Sequence, residues 1–101
     1  MTEKKFIEGV EIGLSTVKQL QFLATKLEHF GAPVADLNRQ IAGLGPPPVT
    51  EDQAINVTWE QKVLAILRVC DALKKRLAKA DEKKDIDELL KPFNKVYLMS
   101  A

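Results

Sequence analysis

Apolar residues recur along two stretches of the chain at the same alternating spacing of four and three. The first stretch is Phe6, Val10, Gly13, Val17, Leu20, Ala24 and Leu27. The second is Trp59, Val63, Ile66, Cys70, Leu73, Leu77 and Ala80. Steps of three and four return to one face of an α-helix, so each stretch predicts a long amphipathic helix. Laid antiparallel, the stretches pair Phe6 with Ala80, Gly13 with Leu73 and Ala24 with Val63. Large then meets small, which lets a seam fill without voids. The expectation is an all-α fold: an elongated antiparallel helical hairpin with a short connecting helix and a C-terminal helix, a three- to four-helix bundle.

Punctuating residues place the boundaries of a single domain over 1–101. The first helix is predicted over about 3–30, with Thr2 as its cap, Glu3 favourably placed in its first turn and Gly31 as its stop. Gly13 would weaken a helix interior by about 1 kcal/mol relative to alanine. Its place on the seam implies close approach of a neighbouring helix. Pro33 opens a short helix over about 33–42 that carries Val34, Leu37 and Ile41 on one side, and Gly43 and Gly45 end it. Pro46, Pro47 and Pro48 make 45–49 a stiff extended connector.

Two starts compete for the second long helix, because Thr50 with Gln53 and Thr58 with Gln61 both match a capping box. Carried back from Trp59, the seam meets the polar Asn56 and Asp52, so the helix is predicted over about 59–80. A C-terminal helix over about 85–99 follows, kinked near Pro92.

Charge adds little to this picture. The chain has 15 basic and 14 acidic residues, a net charge of +1, and no global field toward nucleic acid or an acidic partner. A single cysteine excludes an intrachain disulfide. The opening Thr-Glu-Lys-Lys has no secretory character, and no apolar run approaches the roughly 20 residues of a membrane span, so the expected location is the cytoplasm.

The chemistry-bearing residues are sparse. His29 is the chain's one histidine and has no second ligand at metal spacing, which reads as a solvated side chain near a helix C-terminus. Cys70 falls on the seam and reads as a small buried hydrophobe. Trp59 reads as the lid of the core, with a partner contact as the alternative. No P-loop, dinucleotide fingerprint or nucleophile elbow is present, so neither an enzyme nor a bound metal or cofactor is expected.

Function is therefore expected to reside in surfaces. The leading expectation is a non-enzymatic protein-interaction module, such as an adaptor, inhibitor or assembly chaperone, acting as a homodimer. Its contacts are placed on two apolar sets that the hairpin seam does not use. One is Ile7, Leu14 and Leu23 on the first helix, and the other is Phe93, Val96, Tyr97, Leu98 and Met99 in the tail. The alternative is a nucleic-acid-binding regulator that presents Arg68, Lys75 and Lys79 on one face of the second long helix.

Overall fold

The computed structural model describes residues 2–48 and 52–93, with side chains described for 16–48, 52 and 54–93. The described residues form four helices: α1 (Thr2–His29), α2 (Ala35–Leu44), α3 (Gln53–Lys75) and α4 (Ala80–Phe93). They build an elongated bundle of 47 × 23 × 20 Å. The 28 residues of α1 account for about 42 Å of that length at 1.5 Å per residue.

Local chemistry explains most of the boundaries. Gly31 ends α1 with φ at +89°, a conformation open to a residue without Cβ. The amide of Gly31 donates to Glu28 O and that of Ala32 to Leu27 O, both at 2.9 Å, so two carbonyls at the helix end are satisfied in a Schellman motif. The start of α3 differs from the expectation at 59. Asp52 caps the helix, its Oδ1 accepting from the amides of Ala54 at 2.9 Å and Ile55 at 3.5 Å. Thr58 lies one turn inside, and its hydroxyl donates back to Ala54 O at 2.8 Å. The polar positions that argued against a helix over 53–58 supply its cap and its solvent face. We expect Asp52→Ala to lower stability by about 1 kcal/mol in chemical denaturation. Thr58→Ala should stay within about 0.5 kcal/mol; the reverse ranking would return the cap to Thr58.

The other boundaries shift by a few residues. α2 runs two residues later than expected at each end, and α3 closes at Lys75, with the amides of Arg76 and Leu77 bonded to Leu73 O and Lys74 O. α4 starts at Ala80, so Asp81–Lys84 belongs to its first turns and not to a loop. Pro92 sits in the last described turn, and the expected continuation to 99 lies outside the described residues.

Helix direction follows from which residues share grooves. Ile41, Gly45 and Pro47 face Val17, Lys18 and Gln21, so α2 runs back along α1. Pro46 and Pro48 border a cleft with Ile55, Trp59 and Lys62, so the end of α2 meets the start of α3. Lys74 reaches Asp87 at 2.6 Å, and Leu64 and Leu67 face Leu90 and Phe93, so α4 runs back along α3. Lys18 and Phe22 also share a groove with Glu88, Leu89 and Pro92, which brings α4 beside α1. Each consecutive pair is antiparallel, and α1 and α3 therefore run in the same direction.

That arrangement corrects the register expected between the two long helices. The grooves place Pro46 beside both Val17 and Trp59, so the start of α3 lies level with the middle of α1 and not beyond its C-terminal end. The alternating sizes of the two stretches serve a four-sided interior instead. Its buried residues are Leu20, Leu23, Ala24 and Leu27 from α1, Leu37, Ile41 and Leu44 from α2, Val63, Ile66, Leu67, Cys70 and Leu73 from α3, and Ile86 and Phe93 from α4, closed at one end by Val34 and Leu77.

Candidate interaction surfaces

The residues expected to dock partners divide into three groups. Leu23 is 0% exposed and Phe93 2% exposed, so both belong to the core and neither can present a surface. A two-helix hairpin alone would leave Leu23 uncovered on a second stripe. α2 and α4 cover that side of α1. Phe93 closes the space between α3 and α4. Ile7 and Leu14 lie on α1 within 2–15, whose side chains are not described. Among the described residues, α2 and α4 meet α1 as far as the level of Val17 and Lys18. Val96, Tyr97, Leu98 and Met99 lie outside the described residues.

Exposed apolar side chains occur elsewhere. Phe22 is 54% exposed, Ile55 50% and Val57 48%. Phe22 stands on the polar side of α1, bordered at three- and four-residue spacing by Lys18, Gln19, Thr25 and Lys26, and it shares a groove with Leu89 and Pro92 of α4. A lone large hydrophobe ringed by polar residues at helical spacing is a signal the sequence carries. The 4-3 seam pattern does not include it. Ile55 and Val57 precede the predicted start of α3, so no helical face could be assigned to them.

The basic stretch is neutralised where it is densest. Lys74 Nζ bridges Asp71 at 3.1 Å and Asp87 at 2.6 Å, and Lys75 Nζ meets the other oxygen of Asp71 at 3.1 Å. Hydrogen bonds from Lys74 and Lys75 hold the Asp71 carboxyl below its ordinary range. Hydrogen bonds to Asp87 and Asp71 raise Lys74. Arg68, Lys75 and Lys79 are all exposed, but Lys75 is tied to Asp71 and so is not a free phosphate contact.

Cys70 is fully buried, and desolvation pushes its thiol up to about 12. A neutral thiol at this depth fills space and is not poised as a nucleophile. Trp59 packs against the core while lining the cleft at the head of α3, which matches the lid expected of it. His29 is exposed, its ring 5.8 Å from that of Phe30. Among the described residues no cluster of three or more His, Cys, Asp or Glu could hold a metal ion, and no helix is long and apolar enough to cross a membrane. No protein-family model, curated protein or solved structure matches the chain.

Proposed function

We propose that this chain is a small, non-enzymatic, cytoplasmic protein-interaction module that associates through apolar helix surface, with itself as a homodimer or with a partner protein. The observation that carries this reading is the exposure of Phe22 beside Leu89 and Pro92. A large aromatic side chain stands in solvent on a bundle whose other long apolar residues in α1, from Leu20 to Leu27, are enclosed. Burying such a ring in a partner gains about 25 cal/mol per Å² of apolar surface, and central aromatics dominate interface energies. Ile7 and Leu14 are a second candidate contact region on the apolar character of the first half of α1. Val96, Tyr97, Leu98 and Met99 remain candidate contacts on the apolar character of the tail. The nucleic-acid alternative is the weaker one, because Asp71 and Asp87 offset the charge that Lys74 and Lys75 would present.

Sedimentation of the purified chain and of Phe22→Ser tests the reading. The wild type is expected to self-associate at micromolar concentration or to retain a defined protein stoichiometrically. The substitution should weaken that association about thirtyfold or more, the effect of losing a hot spot of at least ~2 kcal/mol, without loss of helicity. A wild type that stays monomeric and retains nothing, or an association indifferent to Phe22→Ser, contradicts it.

A further inference from the structure

Phe22 of α1 shares its groove with Leu89 and Pro92 of α4, and the charge beside that groove divides by helix. Steps of three, four and seven residues from Phe22 reach Lys18, Gln19, Thr25, Lys26 and His29, with no acid among them. The same steps back from Leu89 and Pro92 reach Glu82, Asp85, Ile86 and Glu88, with no base among them. One face of the bundle therefore carries a basic stripe and an acidic stripe side by side, with an exposed aromatic ring at their boundary.

The two stripes do not pair with each other within one copy. Lys18, Lys26 and Asp85 form no ion pair among the described residues. Lys26 Nζ lies 5.4 Å from the centroid of the Phe30 ring instead. Glu88 is held at 2.9 Å by Lys91, which stands outside the stripe.

A face divided in this way is complementary to itself in one orientation. Because α4 runs back along α1, the turn from Phe22 to Lys26 lies level with the turn from Leu89 to Asp85. A two-fold axis parallel to the helices lays α1 of each copy on α4 of the other and preserves those levels. Opposite charges then face one another, and each contact occurs twice. A two-fold axis across the helices would lay α1 on α1, with Lys26 against Lys18, and the acids of α4 on one another. Like charges so opposed suppress that orientation.

We propose that the α1–α4 face binds a second copy of this chain about a two-fold axis parallel to the helices. Phe22 of each copy lies against Leu89 and Pro92 of the other, and Lys26 pairs with Asp85 across the interface. The inference rests on the reading of the chain as a protein-interaction module, and it names both the partner and the orientation.

Charge exchange between copies tests it, read by sedimentation velocity of the full chain at low ionic strength. Lys26→Glu and Asp85→Lys each set two like-charge contacts in the dimer. Each variant should associate about fivefold more weakly than the wild type, or worse, with helicity unchanged. Mixed one to one, the two variants should return to within about twofold of the wild-type affinity, because every contact again joins opposite charges. Asp85→Asn, which removes the charge without reversing it, should weaken association about twofold.

Charge variants that associate as the wild type does would overturn the inference. Weakening without recovery in the mixture would also overturn it, since the charges would then act within their own bundle. A wild type that stays monomeric yet retains another protein through Phe22 sinks this inference alone and leaves the interaction reading standing. A wild type that neither self-associates nor retains a protein sinks both.

Discussion

Replacing Phe93 by alanine is expected to remove about 3–5 kcal/mol of folding stability, read from urea denaturation of the two proteins. The ring is 2% exposed and belongs to the same buried set as Leu20, Leu27 and Ile86. Its loss removes favourable burial and leaves a cavity that neighbouring helices fill only in part. A domain of this size has a total stability of about 5–15 kcal/mol, so the variant should be marginal. Phe93→Leu, which keeps most of the volume, should lose less than half as much. The comparison separates two roles for the end of α4. If Phe93 were a docking residue, alanine would change the stability of the isolated chain by no more than about 0.5 kcal/mol and would act on association instead.

The second large effect is a base-sensitive stability set by Cys70. Burial raises its thiol from an ordinary 9.0 to about 12, while the unfolded chain keeps the ordinary value. Between those values the unfolded state has shed the thiol proton and the folded state still holds it. The unfolded state therefore binds fewer protons, and stability falls as pH rises. The contribution is fully present below pH 9 and is lost progressively toward pH 12. Three units at about 1.4 kcal/mol each give a loss on the order of 4 kcal/mol across the whole window.

Cys70→Ala lacks this group and serves as the reference, because every other group is common to both proteins and cancels in the difference. Under reducing conditions the stability difference between wild type and variant should be flat up to about pH 8.5. It should then fall by about 1.4 kcal/mol per unit through pH 10.5. Curves that stay parallel throughout would mean that the thiol ionises freely in the folded chain, and Cys70 could not then lie in the bundle interior.

The helices were legible because their signals are local. Period and punctuation, with Gly31 as the clearest stop, identified α1 to within one residue at each end and α2 to within two. The start of α3 was not legible because Thr50 and Thr58 both match a capping box, whereas Asp52, which reads as a polar break in the seam, is the residue whose oxygen meets the amides of Ala54 and Ile55. Helix pairing was not legible. The 4-3 spacing of Val63, Ile66, Cys70 and Leu73 states which face is buried but not which helix covers it, and a face shared by several neighbours looks the same as one half of a two-helix seam.

The misplacement of Leu23 and Phe93 on docking surfaces follows from that single ambiguity. Once α2 and α4 are seen to flank α1, the second apolar stripe of α1 becomes interior and Phe22 stands out as the exposed ring. The electrostatic part was half legible. Helical spacing places Arg68, Lys75 and Lys79 on one face, but the bridge from the neighbouring Lys74 to Asp87 depends on α4 folding back along α3.

Which surfaces are available for binding depends on the direction of α3 relative to α1, and one distance reports it. Spin labels are placed at 29 and 76, where His29 and Arg76 are exposed, in a Cys70→Ala background, and their separation is measured by double electron–electron resonance. Helices running the same way place both labels at one end of the bundle, and a distribution centred at about 20 Å, within the 23 Å width of the molecule, is expected. The antiparallel register separates the two positions by about 28 Å along the axis alone, so a distribution centred above about 30 Å would contradict the bundle and the surfaces read from it.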